Sequence, residues 1–279
     1  MNIYINVEIP SRELDSKLLL GILAAVRGHQ VIVSDLESIL KGVTQGVLAP
    51  GIFHTKSLTP AEHKVTLLNF LAEKGFKITS NDEESAVEQD SFEWCVKNRF
   101  SEKTINQATA VFGWGDEDTN TLKKTYSNHS SKIFKTGSPR VDMWSPAFSE
   151  YWGIPKMLPS KPFLLISSNM SPSQSYKGFF ERYKVKIKLG YFERDPEGMG
   201  REFAMAAESY LKTFSFIEAL KHLSKNNIGY DIVLRPHPNE SIEIWRTYLK
   251  DIPNTHIIRE GSLSAWINNA FAVMQNGCT

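Results

Sequence analysis

The stretch NIYINVEIPSRELDSKLLLGILAAVRGHQVIVS, residues Asn2–Ser34, decides the fold class of this protein. Asn2 to Ile9 has the apolar character of a buried strand, and Glu13 to Arg27 carries apolar residues at helical spacing. Gly28 marks the end of that helix, and Gln30 to Ser34 has the character of a second strand. Because strands joined by a crossover helix pair in parallel, the sequence predicts an α/β fold.

The same alternation continues along the chain and predicts two α/β units. The expected strands of the first unit are Lys77–Thr79, Ala108–Gly113 and Lys132–Thr136, and its further helices are Glu62–Lys74 and Asp116–Tyr126. The expected strands of the second unit are Phe163–Ser167, Tyr230–Leu234, His256–Ile258 and Ala272–Met274, and its helices are Arg201–Lys225, Ser241–Lys250 and Leu263–Asn269. We expect Lys132–Thr136 and Tyr230–Leu234 to be central strands of two separate sheets.

A proline-rich stretch separates the two units. Pro155, Pro159 and Pro162 follow one another closely and indicate a linker, so the predicted domains are residues 1–155 and 156–279. Two such units are typical of two Rossmann-like domains that face each other across a cleft. Ligands of these sheets bind at the carboxyl ends of the strands, where helix N-termini offer N–H groups. Candidate functional residues should therefore follow the strands directly.

Composition excludes several function classes. The 279 residues are 41% hydrophobic and 23% charged, which is typical of a folded globular protein. Lys plus Arg number 32 against 31 Asp plus Glu, a net charge of +1, so no general affinity for nucleic acid is expected. Cys95 and Cys278 cannot form a disulfide framework and have no zinc-ligand spacing, which favours reduced thiols and no bound metal.

The sequence carries no targeting or membrane-spanning signal. The N-terminus lacks a basic segment followed by an apolar one, so a secretion signal is not expected. The longest apolar stretch, Leu18 to Val26, is far shorter than the roughly 20 residues that span a bilayer. We expect a cytoplasmic protein, and peripheral association with the inner face of the membrane stays open.

The segment Arg235-Pro236-His237-Pro238-Asn239-Glu240 follows the strand at Tyr230–Leu234. Its two prolines fix the backbone on both sides of the histidine. Arg235 offers a forked cation and His237 a switchable donor, a pair suited to a phosphate or diphosphate. The alternative is a proline-stiffened turn in which Asn239 or Ser241 caps the next helix. We favour the phosphate site.

A second loop of this kind is Thr136-Gly137-Ser138-Pro139-Arg140-Val141-Asp142. Gly137 allows close backbone approach, Ser138 can cap a helix, and proline suits the first helical position. Arg140 and Asp142 are cleft candidates, although they also fit a local ion pair. For this loop the structural interpretation is favoured.

The turn after the first strand contributes Arg12, Glu13 and Asp15. Acidic residues stabilise the first turn of a helix through its dipole. The same carboxylates would face the cleft, where a sugar hydroxyl needs a general base. His54 and Glu83, in two further polar stretches after short strands, are additional cleft candidates. The three successive acids Asp82, Glu83 and Glu84 could bind a cation or act as a base, and a solvated helix start fits them equally well.

Three common nucleotide or hydrolase motifs are missing. Gly113-Trp114-Gly115-Asp116 lacks the third glycine of a dinucleotide fingerprint, so a nicotinamide site is weakly supported. The chain has neither a GxxxxGK[ST] phosphate loop nor a GxSxG nucleophile elbow.

Several segments together resemble bacterial surface carbohydrate biosynthesis proteins, which are related to capsule and lipopolysaccharide Kdo transferases and to CDP-glycerol glycerophosphotransferases. The resemblance runs over nearly the whole chain. It is carried by Val7–Ile9, Arg12–Asp15, Lys17–Leu20, Pro50–His54, Ser80–Ser85, Thr136–Asp142, Arg235–Pro238 and Asn276–Thr279. It implies a GT-B fold and a role in transferring a sugar from a nucleotide-activated donor, CMP-, CDP- or UDP-linked, to a glycan or lipid-linked glycan acceptor.

The resemblance also implies roles for particular residues. His237 would lie against the donor phosphate, helped by Arg235 and by the turn Asn276, Gly277, Cys278 and Thr279. Glu13 or Asp15 would take the acceptor proton, and we expect one of them across the cleft from His237. The N-terminal domain would bind the acceptor and the C-terminal domain the donor, with no further cofactor and no metal. Because the chain stops at Thr279, where a last helix should begin, the second domain is expected to be incomplete.

Two other functions fit the same residues. A nucleotide-sugar 2-epimerase shares the two-domain architecture and would act on its substrate without an acceptor. A non-catalytic member of a polysaccharide assembly complex would bind the nucleotide without turnover. Binding and turnover measurements separate these three.

Overall fold

The computed structural model describes residues 1–84, 91–170, 178–188, 190, 192, 196–226 and 229–276. The chain forms two compact units, Met1–Phe148 and Ser149–Thr279, called here the N-terminal and C-terminal units. The division falls a few residues before the proline-rich stretch at Pro155.

The N-terminal unit contains a six-stranded parallel sheet in the order β2-β1-β3-β4-β5-β6. Its strands are β1 Asn2–Asn6, β2 Gln30–Ser34, β3 Ile52–Thr55, β4 Lys77–Asn81, β5 Ala108–Gly113 and β6 Ile133–Lys135. The prediction that Lys132–Thr136 is a central strand is wrong, because β6 lies at the edge and pairs with β5. Crossover direction, which a single strand's sequence does not encode, places it there.

Helices connect these strands and cover the sheet. They are α1 Pro10–Val26, α2 Leu36–Thr44, α3 Glu62–Glu73, α4 Phe92–Arg99, α5 Glu102–Gln107, α6 Asp116–Thr125 and α7 Pro139–Asp142, with 3-10 turns at Ser127–Lys132 and Pro146–Phe148. Tyr4, Phe53 and Ile78 lie in register on β1, β3 and β4 and are buried in one core with Leu68 and Leu71 of α3. Residues two positions further along these strands project from the same face, at the carboxyl edge of the sheet.

The C-terminal unit has a four-stranded parallel sheet in the order β10-β7-β8-β9. Its elements are α8 Ser149–Trp152, β7 Phe163–Ser168, α9 Phe179–Lys188, α10 Gly198–Lys225, β8 Asp231–Pro236, α11 Ile242–Leu249, β9 Thr255–Ile257, α12 Leu263–Asn269 and β10 Ala272–Gln275. The prediction for Tyr230–Leu234 is confirmed, since β8 lies inside this second sheet between β7 and β9.

Burial on both faces explains why β8 is interior. All six of its residues are buried. Ile232 and Leu234 belong to the core that contains Trp245, whereas Val233 belongs to the core that contains Trp266. An apolar run without alternation is typical of a parallel strand covered on both faces. The residues that follow β7, β8 and β10 therefore emerge at one edge of the sheet.

In the described part of the chain, no helix combines the length and the apolar character that crossing a bilayer requires.

Candidate functional site

His237 follows β8 and is half-buried. Its backbone N–H donates to Ser168 O at 3.1 Å, which extends the β7–β8 pairing by one bond. Its ring Nδ1 accepts from the Asn239 N–H at 3.2 Å. Because Nδ1 accepts a hydrogen bond, the neutral ring carries its proton on Nε2. The Asn239 N–H thus fixes the tautomer of the His237 ring at the carboxyl edge of the sheet.

The Glu240 carboxylate ties the β8 loop to the end of β7. It is buried and accepts from Ser168 Oγ at 2.6 Å, from Trp245 Nε1 at 2.7 Å and from the Met170 N–H. Arg259 completes the bracing: its Nη2 donates to Glu240 O at 2.6 Å and to His237 O at 3.1 Å. The loop that presents His237 is thus held by two charged side chains.

The prediction that Arg235 and Pro236 follow the strand is wrong, because both belong to β8 and pair with Ser167 and Ser168 of β7. The Arg235 side chain is buried. Its guanidinium donates to Glu260 O at 2.7 Å, to Gly261 O at 2.8 Å and to Arg259 O at 3.0 Å, and it lies over the Trp266 ring. Burial lowers the pKa of Arg235 to about 10. These contacts make Arg235 an anchor for the Arg259–Gly261 segment, and its expected phosphate contact stays a prediction.

Asn276 lies on the other side of β7. Its Oδ1 accepts from the Asn169 N–H at 2.7 Å, and its Nδ2 donates to Asn169 O at 3.1 Å. This two-bond pairing continues the contact between β10 and β7 beyond the last ladder bond. His237 and Asn276 therefore flank the end of β7, as expected from the strand order. Gly277, Cys278 and Thr279 lie outside the described residues.

In the N-terminal unit, Arg12, Glu13, Lys17, Lys56, Glu83 and Glu84 form an ionic cluster at the carboxyl edge of the sheet. Glu13 is fully buried and accepts from the Glu8 N–H at 2.9 Å, from Lys56 Nζ at 3.2 Å and from Arg12 Nη2 at 3.3 Å. Burial acts to raise the pKa of Glu13, but the Glu8 N–H and Lys56 outweigh it and hold the pKa below its ordinary value. A carboxylate stabilised in this way is a weak general base.

Lys17 and Glu83 form a buried pair within the ionic cluster. Lys17 Nζ lies 3.0 Å from Glu83 Oε1, and both side chains are at least 94% covered. Arg12 Nη2 joins Glu84 at 3.1 Å, and Arg99 joins Glu84 at 2.9 Å. The structure thus brings Arg12, Glu13 and Glu83 together, at the strand ends where the sequence predicted functional residues.

Asp82 and Arg99 extend the cluster toward α4. Arg99 Nε donates to Asp82 Oδ1 at 2.8 Å, and Trp114 Nε1 donates to Asp82 O at 2.7 Å. Burial raises the pKa of Asp82 above its ordinary value, although Arg99 opposes the shift. Asp82 belongs to the run of three acids expected from the sequence, and because Asp82 and Glu83 are buried, the solvated helix start is wrong for both. Arg99 was not among the candidates from the sequence.

His54 is buried on β3, and its Nδ1 lies 3.0 Å from Thr79 Oγ1. Burial, and then the positive charge of Lys17, lower the pKa of His54 to about 3. The ring is neutral at physiological pH and cannot supply a cation for a phosphate. Its observed contact is structural.

The Gly137 loop lies against the ionic cluster. Gly137 has φ +96° and its carbonyl accepts from Asn81 Nδ2 at 3.0 Å. Ser138 is buried and starts α7, and Arg140 lies over the Trp144 ring and donates to Glu83 O at 3.5 Å. Asp142 is exposed, and its N–H closes α7 on Ser138 O at 3.0 Å. Of these contacts, the Asp142–Ser138 bond belongs to a helix start, and Pro139 does take the first helical position. The expected capping by the Ser138 side chain is wrong, since it makes no capping hydrogen bond.

Asp15 and Glu13 do not act as a pair. They are two positions apart on α1, so they project to different sides of the helix. Asp15 is half-buried, whereas Glu13 is enclosed by its donors. The predicted placement of either carboxylate across a cleft from His237 stays a prediction.

The lysines that organise the ionic cluster, Lys17 and Lys56, were not among the candidates from the sequence. Lys17 is four residues after Glu13, and Lys56 follows β3 as Glu13 follows β1. Lysine is ordinarily exposed, so composition gives no reason to place it inside. Position was the usable signal for Lys56, which follows β3 directly, whereas Lys17 lies one helical turn after Glu13 on α1.

Two solved structures of nucleotide-bound proteins superimpose on this chain. A co-structure of S. aureus MnaA with UDP superimposes with a TM-score of 0.56 at 12% sequence identity, covering 98% of this chain and 73% of that chain. The catalytic domain of starch synthase IV from Arabidopsis thaliana, bound to ADP and acarbose, superimposes with a TM-score of 0.42 at 10% identity, covering 96% of this chain and 76% of that chain. No protein-family model and no curated protein sequence matches the chain. The likeness to MnaA confirms the predicted GT-B-like fold of two Rossmann-like units.

Proposed function

We propose that this protein is a glycosyltransferase that uses a nucleotide-activated sugar to build a bacterial surface polysaccharide. The single observation that carries the proposal is the braced His237, whose Nε2 donor is set at the carboxyl edge of β7 and β8. Because the MnaA structure contains UDP, a nucleoside diphosphate is the ligand to test first.

The geometry of His237 suits a leaving diphosphate. Transfer of the sugar breaks its bond to the donor phosphate, and negative charge develops on the phosphate oxygen. We place the His237 Nε2–H beside that oxygen, where a hydrogen-bond donor held in position before the reaction would stabilise the charge. Arg259 supplies rigidity by binding the carbonyls of His237 and Glu240, and the Glu240 carboxylate ties the loop to Ser168 and Met170.

The acceptor proton needs a separate group, which we place in the N-terminal unit. Glu13 is better suited to organising Lys56 and Arg12 than to accepting a proton, given its lowered pKa. Asp15 is the remaining candidate base from the sequence. We further propose that the acceptor is a glycan or lipid-linked glycan and that the protein works in the cytoplasm at the inner face of the membrane.

A nucleotide-sugar 2-epimerase is the second candidate, supported by the same UDP-bound neighbour. The two reactions differ in their need for an acceptor. An epimerase converts a UDP-sugar alone into its 2-epimer, which proton NMR of the sugar detects directly. A transferase leaves the UDP-sugar unchanged until a glycan acceptor is added and then releases UDP.

Nucleotide binding is the first experiment. Thermal-shift titrations with UDP, CDP, CMP, GDP and ADP are made on wild type, on His237→Ala and on His222→Ala, an exposed histidine of α10 that serves as the control. A bound nucleotide raises the melting temperature. Loss of one charge-assisted bond of roughly 1.5–3 kcal/mol should weaken binding about tenfold to a hundredfold in His237→Ala only. An identical nucleotide response in all three proteins, or no response in wild type, contradicts the proposed site.

A further inference from the structure

Helices α9 and α10 carry large apolar side chains on the surface. Phe180 is 66% exposed, Ile187 50%, Phe203 45% and Phe214 57%. Soluble proteins seldom expose several large apolar residues close together unless the surface binds something. These residues are therefore the starting point for a docking surface.

Most of α9 is exposed, and four of its exposed residues lie in a stripe along one side. Phe180, Lys184, Ile187 and Lys188 are spaced i, i+4, i+7 and i+8, so they lie along one side of the helix. Phe179 and Tyr183 occupy a different side and are buried. The stripe thus contains apolar side chains and lysines, and the buried residues on the neighbouring side hold α9 in place.

Aromatic contacts join this stripe to α10. The Phe179 ring lies 5.4 Å from Phe180 and 5.2 Å from Phe203, measured between ring centroids. Phe203, Tyr210 and Phe214 are spaced i, i+7 and i+11 and lie along one side of α10. At 1.5 Å per residue they extend the apolar surface by about 16 Å. We call Phe180, Lys184, Ile187, Lys188, Phe203 and Phe214 the α9–α10 surface.

The charge of α9 selects among possible partners. Phe179–Lys188 contains four basic residues and one acid, Glu181, a net +3 in a chain whose total is +1. Lys186 pairs with Glu202 of α10, so α9 together with this partner carries a net +2. Lys184 pairs with Glu181 at 2.6 Å, but this is an exposed pair and such pairs contribute little. Apolar side chains interleaved with lysines on an interfacial helix match a membrane surface that contains anionic lipids.

We propose that the α9–α10 surface docks the protein onto an anionic lipid bilayer, with Phe180 and Ile187 entering the headgroup region and Lys184 and Lys188 contacting lipid phosphates. The proposal depends on exposure and charge in the C-terminal unit and does not rest on the role of His237. It assigns the peripheral membrane association expected from the sequence to the α9–α10 surface.

Vesicle flotation tests the proposal with the full chain. The probes are vesicles of phosphatidylcholine alone and of phosphatidylcholine mixed with phosphatidylglycerol, at low salt. We expect wild type to float with the anionic vesicles only. The double variant Lys184→Gln/Lys188→Gln should bind about thirtyfold more weakly, since each lysine near the surface contributes about 1 kcal/mol. Phe180→Ser/Ile187→Ser should bind more weakly by about tenfold or more, because it removes the apolar area that enters the bilayer.

Matched controls alter equivalent residues elsewhere. Ile22→Ser/Val26→Ser removes two exposed apolar side chains of α1, and Lys221→Gln/Lys225→Gln removes two lysines at the far end of α10. Both controls should float like wild type. The proposal is overturned if wild type does not float with anionic vesicles or if the controls lose as much binding as the α9 variants. It is also overturned if size-exclusion chromatography with light scattering shows the α9 variants abolishing a dimer instead. The UDP thermal shift of the α9 variants, expected to equal that of wild type, keeps this result separate from the nucleotide site.

Discussion

Replacing Glu240 with glutamine should cost the C-terminal unit much of its stability. The carboxylate is buried and receives three donors: Ser168 Oγ and Trp245 Nε1 on Oε2, and the Met170 N–H on Oε1. The serine hydroxyl can rotate and accept a hydrogen bond, but an indole or backbone N–H can only donate. Whichever way the new amide group turns, its NH2 therefore opposes one of these two N–H groups.

The magnitude follows from that conflict. One buried N–H that loses its acceptor costs about 1–3 kcal/mol, and exchanging charge-assisted bonds for neutral ones adds about 1 kcal/mol. We expect Glu240→Gln to lower the free energy of unfolding by about 2–4 kcal/mol. Glu243→Gln is the matched control, because the Glu243 carboxylate is exposed on the same segment and pairs with Arg246 at the surface, so the expected change is within about 0.5 kcal/mol.

Urea unfolding followed by tryptophan fluorescence measures both variants. A double-mutant cycle with Trp245→Phe adds a specific check, since removing the indole N–H should cost less in the Glu240→Gln background than beside the native carboxylate. An unfolding midpoint of Glu240→Gln equal to that of Glu243→Gln would refute the inference that this carboxylate braces the loop.

Two further predictions concern the N-terminal unit. Burial, and then the charge of Lys17, lower the pKa of His54 from 6.5 to about 3. Between these two pH values, His54 is protonated in the unfolded chain and neutral in the folded one. The free energy of unfolding should therefore fall as pH drops from 6.5 to about 3. In His54→Asn, urea midpoints measured across that range should show a shallower fall, and an unchanged slope contradicts the burial argument. Lys17→Met leaves the Glu83 carboxylate buried without this cation and should cost about 3–5 kcal/mol in urea unfolding. Lys221→Met, at an exposed pair, should cost less than about 1 kcal/mol, and equal losses would show that the buried pair is unimportant.

The sequence predicted the elements that depend on local pattern. Gln30–Ser34, Ala108–Gly113 and Leu263–Asn269 coincide with β2, β5 and α12, since each combines a clear apolar pattern with residues that end the element. The short α2 was not predicted, although Asp35 caps it through the Ser38 N–H at 2.9 Å. The edge position of β6 could not be predicted, because strand order depends on crossovers between distant segments.

The sequence predicted where the candidate site residues lie better than which groups they bind. His237 and Glu13 do follow β8 and β1, as the rule for parallel sheets requires. Their partners come from other strands and loops: Glu13 receives Lys56 from beyond β3, and Arg235 binds carbonyls that follow β9. These partners come together only in the folded chain. A charged residue such as Arg235, which the sequence predicts to bind a ligand, can therefore bind the protein's own carbonyl groups instead.

NMR of protein labelled with 15N-histidine tests the central claim most directly. The chain has seven histidines, and His237→Ala identifies the pair of ring signals that belong to His237. We expect the neutral His237 ring to carry its proton on Nε2 and to leave Nδ1 unprotonated. We also expect the His237 Nε2 signal to shift as UDP is titrated in. UDP that leaves the His237 signals unchanged, or a ring protonated on Nδ1 instead, would contradict the account.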